Sequence, residues 1–260
     1  MIIFSTAWYI LKAKFDKNIY SKWIDNLLTS VNNFKLVIYT DKKSLHMIEK
    51  YKNNLNIKII LLELEEFYNY KYKNFWIKNH EKNHNLNTLV DWKVNMLWNE
   101  KIAFIEKTYK NNYFSGDWYG WIDIGYFRNG SLLNWPNPLK IQELKKDKIY
   151  YARVNNDNIY FNNLIKLILN KDDTGLPKND IPANQISIAG GFFLINYNLI
   201  NWYKNLYDTK LKLYIDNNKL VKDDQIIVID NIVSNFNKFF LIKEEDNRYD
   251  HWFLFKRYLL

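Results

Sequence analysis

Residues Tyr119–Arg128 read YGWIDIGYFR, and this stretch decides the fold. Its aromatic and β-branched side chains mark a strand, and Asp123 lies inside the run with Gly125 two residues on. An ionised carboxylate in an apolar strand is expensive to bury alone. Asp123 should therefore face a metal, a cationic side chain or an open cleft. On a central strand it would stand near the C-terminal end, the edge of an open α/β sheet where ligands collect.

The segments upstream alternate in character. Ile2–Phe4 reads as a strand running into a polar turn, Ser5-Thr6-Ala7. Tyr20, Trp23, Ile24, Leu27, Leu28 and Val31 share one helix face. Leu36–Tyr39 is a second strand ending in Thr40-Asp41, Leu45–Tyr51 a short helix, and Ile57–Leu64 a third strand. Such β-α-β-α-β order with short connections predicts a parallel α/β sheet. Phe67–Asn87 shows no clear period and reads as a loop or irregular helical insert. Thr88–Asp91 resembles a helix start, and one long helix is expected from there to about Tyr109.

Downstream, Ile149–Val154 and Gly190–Tyr197 read as strands, with a short helix over Ile159–Leu169 and a polar loop between them. Asp223-Asp224-Gln225 caps a helix to about Val233, and Phe239–Ile242 is the last strand. No internal repeat is visible.

Composition narrows the class. With 260 residues, 48% of them hydrophobic, the chain can bury a large core, and four Pro and seven Gly leave no room for a linker. One domain is expected. The absence of Cys rules out disulfides, thiolate metal sites and a cysteine nucleophile, and suits a reducing compartment. The opening MIIFSTAWYILKAKF is interrupted by Lys12 and Lys14 and lacks a basic leader and a cleavage site. No run approaches the roughly 20 apolar residues that span a bilayer. The expectation is a soluble, unprocessed protein.

A net charge of +9 with 18% aromatics would suit a single-stranded nucleic-acid binder. The lysines are dispersed, however, and the wealth of Lys, Asn and Ile is what an AT-rich genome produces. Attraction to anionic headgroups or phosphate-bearing substrates fits the charge equally.

The polar residues at strand ends and helix starts have structural readings too. Asp41 is as well explained by helix capping as by ligand contact. One of Asp223 and Asp224 is accounted for by the helix dipole. A lone His251 is more often packed than ligating, and Lys93 more often solvated than phosphate-binding. Asp123 is the hardest to explain structurally, because capping does not apply within a strand.

Their order carries more than any one of them. STAWY, YSKWIDNLL, VIYTD, DWKVNMLWNEKIAFI, YGWIDIGYFR, AGGFFLIN and DDQ together resemble a GT-A-type nucleotide-sugar glycosyltransferase. More narrowly they resemble the HtrL/YibB family of bacterial and viral proteins, linked to lipopolysaccharide or surface-glycan synthesis. The resemblance spans nearly the whole chain.

It implies a Rossmann-type mixed α/β sheet flanked by helices in a single GT-A-like domain, residues 1–260. Residues 1–128 would form the nucleotide-sugar-binding half and 129–260 the acceptor-side half. Thr6 and Asp41 would border the base and ribose, and Lys93 and Arg128 would meet the phosphates. Gly190 and Gly191 would let the sugar approach the backbone. Asp123 would hold Mn²⁺ or Mg²⁺ at the position of a DXD motif, with His251 as a late metal contact. Asp223 or Asp224 would serve as catalytic base in an inverting enzyme. Trp118, Trp121 and Trp252 would line the cleft.

The implied partners are a nucleotide-diphosphate sugar as donor and a glycan or lipid-linked saccharide as acceptor. Nucleic acid is not expected. The implied location is cytoplasmic, with peripheral contact at the inner face of the membrane.

The motif here is Asp-Ile-Gly, so a ligand carboxylate is missing at position 125. Three routes stay open: weaker metal affinity, completion of the site by Asp117 or His251, or metal-independent catalysis with Lys and Arg carrying the charge. A carbohydrate- or nucleotide-binding protein without turnover also remains open.

Overall fold

The computed structural model describes residues Met1–Leu260. In chain order the elements are β1 (Ile2–Trp8), α1 (Lys17–Thr29), β2 (Lys35–Thr40), β3 (Ile57–Leu61), α2 (Lys73–Lys82), α3 (Trp92–Trp98), α4 (Lys101–Lys110) and β4 (Trp118–Ile122). There follow α5 (Pro138–Gln142), β5 (Ile149–Arg153), α6 (Asn158–Leu169), β6 (Ile188–Asn196), α7 (Tyr197–Asp216), α8 (Asp224–Ser234), β7 (Phe239–Ile242) and α9 (Phe255–Tyr258). The strands form one seven-stranded sheet in the order β3-β2-β1-β4-β6-β5-β7. All pairings are parallel except those of β6 with β4 and with β5. This is the mixed α/β sheet, flanked by helices in a single domain, that the sequence led us to expect.

Alternation along the strands divides the core between two faces. Ile3, Val37, Tyr39, Tyr119, Trp121 and Tyr151 point to one side, where α4, α6, α7 and α8 pack. Phe4, Leu36, Ile38, Trp118 and Tyr150 point to the other, against α1, α5 and α9. The period of α1 does what it predicts: Trp23, Ile24, Leu27 and Leu28 are its buried residues, and Asp16 caps its first turn.

Several boundaries differ from expectation for local reasons. Ser5-Thr6-Ala7 is not a turn; β1 continues through it to Trp8, flanked on both sides by parallel partners. Its polar Ser5 is satisfied by Thr108 Oγ1 at 2.8 Å. β3 stops at Leu61, and Glu63 and Glu66 form a capping box for a following 3₁₀ turn. Leu45–Tyr51 is two 3₁₀ turns. The insert after Phe67 holds a 3₁₀ turn over Tyr68–Tyr72 and the helix α2.

The expected long helix is two, α3 and α4, parted at Asn99-Glu100. There the buried Glu100 carboxylate accepts from the amides of Tyr68 and Asn69, at 2.6 and 3.0 Å. The reading also leaves the longest helix unassigned: α7 buries Leu199, Ile200, Tyr203, Tyr207, Leu211 and Tyr214 on one face.

Candidate functional site

β4 ends at Ile122, so Asp123 is the first residue beyond the strand rather than a member of it. Its amide donates to Gly191 O at 2.8 Å, and its carbonyl accepts from Tyr126 N at 2.9 Å, closing a tight turn. Because β6 runs antiparallel to β4, its N-terminal residues flank the same sheet edge. A cleft of about 450 Å³ opens there, within the roughly 300–1,000 Å³ usual for small-ligand sites. Among the expected residues, Asp123, Arg128, Gly190, Gly191, Asp223 and Asp224 line it, with Trp121 and Trp252.

The two glycines have a steric reason. A Cβ on Gly191 would lie 3.0 Å from Asp123 Oδ2, and one on Gly190 would lie 3.1 Å from Asp224 Oδ2. Side chains there would press directly on both carboxylates.

Between those carboxylates stands Lys101, which the sequence reading did not single out. Its Nζ donates to Asp224 Oδ2 and to Gly190 O, each at 2.8 Å, and lies 3.8 Å from Asp123 Oδ1. Lys101 and Asp224 are buried, whereas the Asp123 side chain is 45% exposed. Trp121 Nε1 donates to Asp123 Oδ1 at 2.6 Å, which fixes that carboxylate and leaves Oδ2 toward Gly191. Burial pushes the Asp224 carboxyl up to about 6, against the pull of the Lys101 ammonium. Burial acts to lower the Lys101 pKa, but the facing carboxylates of Asp123 and Asp224 outweigh it and hold the ammonium above its ordinary value.

The helix break places this lysine. Glu100 turns toward Tyr68 and Asn69, so the next residue, the first of α4, faces the cleft. A signal exists in the sequence: Asn99-Glu100-Lys101 is a polar trio inside an otherwise apolar run.

Asp223 and Asp224 are placed by a second device. Asp223 caps α8 through Gln225 N at 3.2 Å and pairs with Lys222 Nζ at 2.9 Å. The segment just before it is gripped by asparagines. Asn79 Nδ2 donates to Val221 O and Asn79 Oδ1 accepts from Val221 N, both at 2.8 Å. Asn95 adds a bond to Val221 O and Asn83 one to Lys222 O.

Five expected residues lie outside the lining. Thr6 is fully buried within β1. Asp41 Oδ1 accepts from Ser44 N at 2.7 Å, as a cap would. Lys93 lies against the Trp92 ring, its Nζ 5.9 Å from the ring centre. Both ring nitrogens of His251 face carbonyl oxygens, those of Val154 at 3.0 Å and Asp246 at 3.2 Å. Trp118 packs on the opposite face against Tyr150. Conversely, Trp8, Trp23 and Trp98 line the cleft unanticipated.

Toward a divalent cation the cleft offers one partly exposed carboxylate, Asp123, and one buried one, Asp224. No group of three His, Asp or Glu side chains stands together to hold one, and the Lys101 ammonium already faces Asp123. Position 125 is closed to a second carboxylate, because a Cβ on Gly125 would lie 2.9 Å from Trp23 Cε3.

The lining carries four cationic side chains, Lys14, Lys17, Lys101 and Arg128, and four carboxylates, Asp123, Asp223, Asp224 and Asp250. Arg128 stacks among Trp23, Phe253 and Phe15, its Cζ 4.5, 4.9 and 5.1 Å from their ring centres. No helix is long and apolar enough to cross a membrane.

No protein-family model matches the chain, and no curated protein matches it. Among solved structures, a similar one is galactosyltransferase LgtC in complex with donor and acceptor sugar analogs. Its TM-score is 0.49 at 13% identity, over 88% of this chain and 69% of that one. A likeness of that degree assigns neither activity nor substrate to this chain.

Proposed function

We propose that the protein is a glycosyltransferase that moves a sugar from a nucleotide-diphosphate sugar to a hydroxyl of a glycan or glycolipid. The observation that carries the reading is the meeting of a buried, lysine-held carboxylate (Asp224), an open carboxylate (Asp123) and an unpaired arginine in one aromatic-walled cleft. Aromatic rings suit the faces of a base and a sugar, and the arginine suits phosphate.

In an inverting transfer the acceptor oxygen bonds to the anomeric carbon and its proton passes to Asp224 Oδ1, the oxygen not held by Lys101. The bond from that carbon to the diphosphate oxygen breaks, and the electron pair leaves with the nucleoside diphosphate. Asp123 orients the sugar hydroxyls. Surface-glycan synthesis is the setting that the sequence resemblance implies.

A thermal-shift screen of nucleotide sugars, followed by an assay of nucleoside diphosphate release, tests this. Ligands that bind the native state raise the melting temperature by mass action. One nucleotide family should do so, and Asp224→Asn should lower release by about 10²–10⁴-fold, the range for a general base. No shift with any nucleotide sugar, or near-normal release by Asp224→Asn, would sink the reading. Binding without release by the wild type would favour a non-catalytic binder, which the engagement of Asp224 by Lys101 would suit.

A further inference from the structure

We propose that a second cavity, apart from the cleft, binds a small aromatic zwitterion of the α-amino-acid type. It measures about 190 Å³ and lies between the loop that follows α6 and the end of α7. Leu176, Ile181, Leu220 and Ile226 give it an apolar lining, and no residue lines both this cavity and the cleft.

One buried carboxylate keeps the cavity open. Asp230 of α8 is fully inaccessible. Its Oδ1 accepts from Lys171 Nζ at 2.5 Å, which ties down the loop wall. Its Oδ2 accepts from the Tyr214 hydroxyl at 2.9 Å, which ties down the helix wall. The loop is also braced within itself. Asp172 Oδ1 accepts from Thr174 N and Leu176 N at 2.9 and 3.2 Å, and Lys178 N donates to Asn170 O at 2.9 Å. Walls held in this way do not close on each other, so the apolar surface between them lacks partner atoms. A site already formed spares its ligand the cost of ordering it.

Size and charge select the occupant. An apolar cavity of roughly 150 Å³ takes up benzene, so this one has room for a single aromatic ring. Its edge carries one cation and one anion, Lys219 and Asp180, with Nζ 2.7 Å from Oδ1. Their side chains are 30% and 70% exposed, and an ion pair so open to water adds little to the fold. Redirecting it to new partners therefore costs little. A ligand with a carboxylate for Lys219 and an ammonium for Asp180 complements both charges while its ring fills the cavity. A ligand carrying only one of those charges brings it against its like.

The cavity also lies close to the machinery of the cleft. Ile226 belongs to the first turn of α8, and the two residues before it, Asp224 and Gln225, line the cleft. A single turn of helix thus has a cavity on either side.

The test is isothermal titration of the full chain with L-phenylalanine. It involves no sugar nucleotide, so its outcome is independent of the transferase reading. Saturable binding at one site is expected. Phenylacetate and 2-phenylethylamine, which each lack one of the two charges, should bind about tenfold more weakly, the order of one charge-assisted contact. Lys219→Gln should lose about tenfold for L-phenylalanine and nothing for 2-phenylethylamine. Ala183→Phe, which fills the cavity from its edge, should abolish binding of all three, with a wild-type melting temperature showing that the variant folds. No saturable heat with L-phenylalanine, equal affinity for phenylacetate, or undiminished binding by Lys219→Gln overturns the proposal.

Discussion

Lys101 Nζ donates to Asp224 Oδ2 at 2.8 Å across 123 residues of sequence. Both groups are nearly inaccessible, with side chains 6% and 8% exposed. Attraction within such a pair offsets the cost of dehydrating it, so removing one partner costs far more than removing both.

Lys101→Met should destabilise the fold by about 3–5 kcal/mol, because it leaves the Asp224 carboxylate buried without its ammonium. Adding Asp224→Leu should return most of that stability while leaving the protein inactive. Urea unfolding of the two single variants and the double variant checks this as a cycle. Additive losses would show that the pair is not coupled.

Stability and activity should respond to pH in opposite senses around Asp224. Its folded pKa of about 6 lies above the ordinary 3.8, so the native state holds a proton that the unfolded chain has released. That stabilisation is full below about 4 and is lost as pH rises through about 6. A general base must be ionised, so kcat/KM for sugar transfer should climb over the same interval. Asp224→Asn should flatten this contribution to the melting-temperature profile.

Glu100 extends the trend to higher pH. Burial pushes its carboxyl up to about 7, partly countered by the Asn69 and Tyr68 amides. The stability it contributes is likewise lost as pH rises, here through about 7. Glu100→Gln retains one acceptor oxygen for two amide donors, and should cost about 1–3 kcal/mol by leaving one of them unpaired. It should also decline less in melting temperature between pH 5 and pH 8 than wild type does.

Gly125→Asp recreates the spacing of two carboxylates but should not create a metal site. Its Cβ would meet Trp23 Cε3 at 2.9 Å, and overpacking of this kind costs about 1–3 kcal/mol. The melting temperature should drop, and titration with Mn²⁺ should show no gain in binding. A gain would mean that Trp23 can move aside.

Local signals made part of the molecule legible. The β-α-β order, the face of α1 and the Asp223 cap all rest on neighbours within a few residues, which is what periodicity and capping rules read. Asp123 could be singled out because a carboxylate is unusual in such a run. For Lys101 the polar trio Asn99-Glu100-Lys101 marks a break but not a role, since the role depends on a kink set by Glu100 meeting amides some 30 residues away. Thr6 misled for the opposite reason: the polar pair Ser5-Thr6 reads as a turn, whereas flanking strands on both sides can bury it. The α7 period is present, but half of its face is Tyr203, Tyr207 and Tyr214, and Asn and Lys stand between the buried positions.

The grip of Asn79 on Val221 gives the asparagine-rich insert a further meaning. A carboxamide donates and accepts at once, so Asn79 offers Val221 the two bonds that a neighbouring strand would supply. Asn83 and Asn95 extend the imitation to a stretch with no regular structure of its own. A coding bias toward asparagine, which by itself looks like compositional noise, thus furnishes a splint made of side chains. The segment that delivers Asp223 and Asp224 is held to the body by borrowed peptide chemistry, and trimming the insert would set both carboxylates adrift.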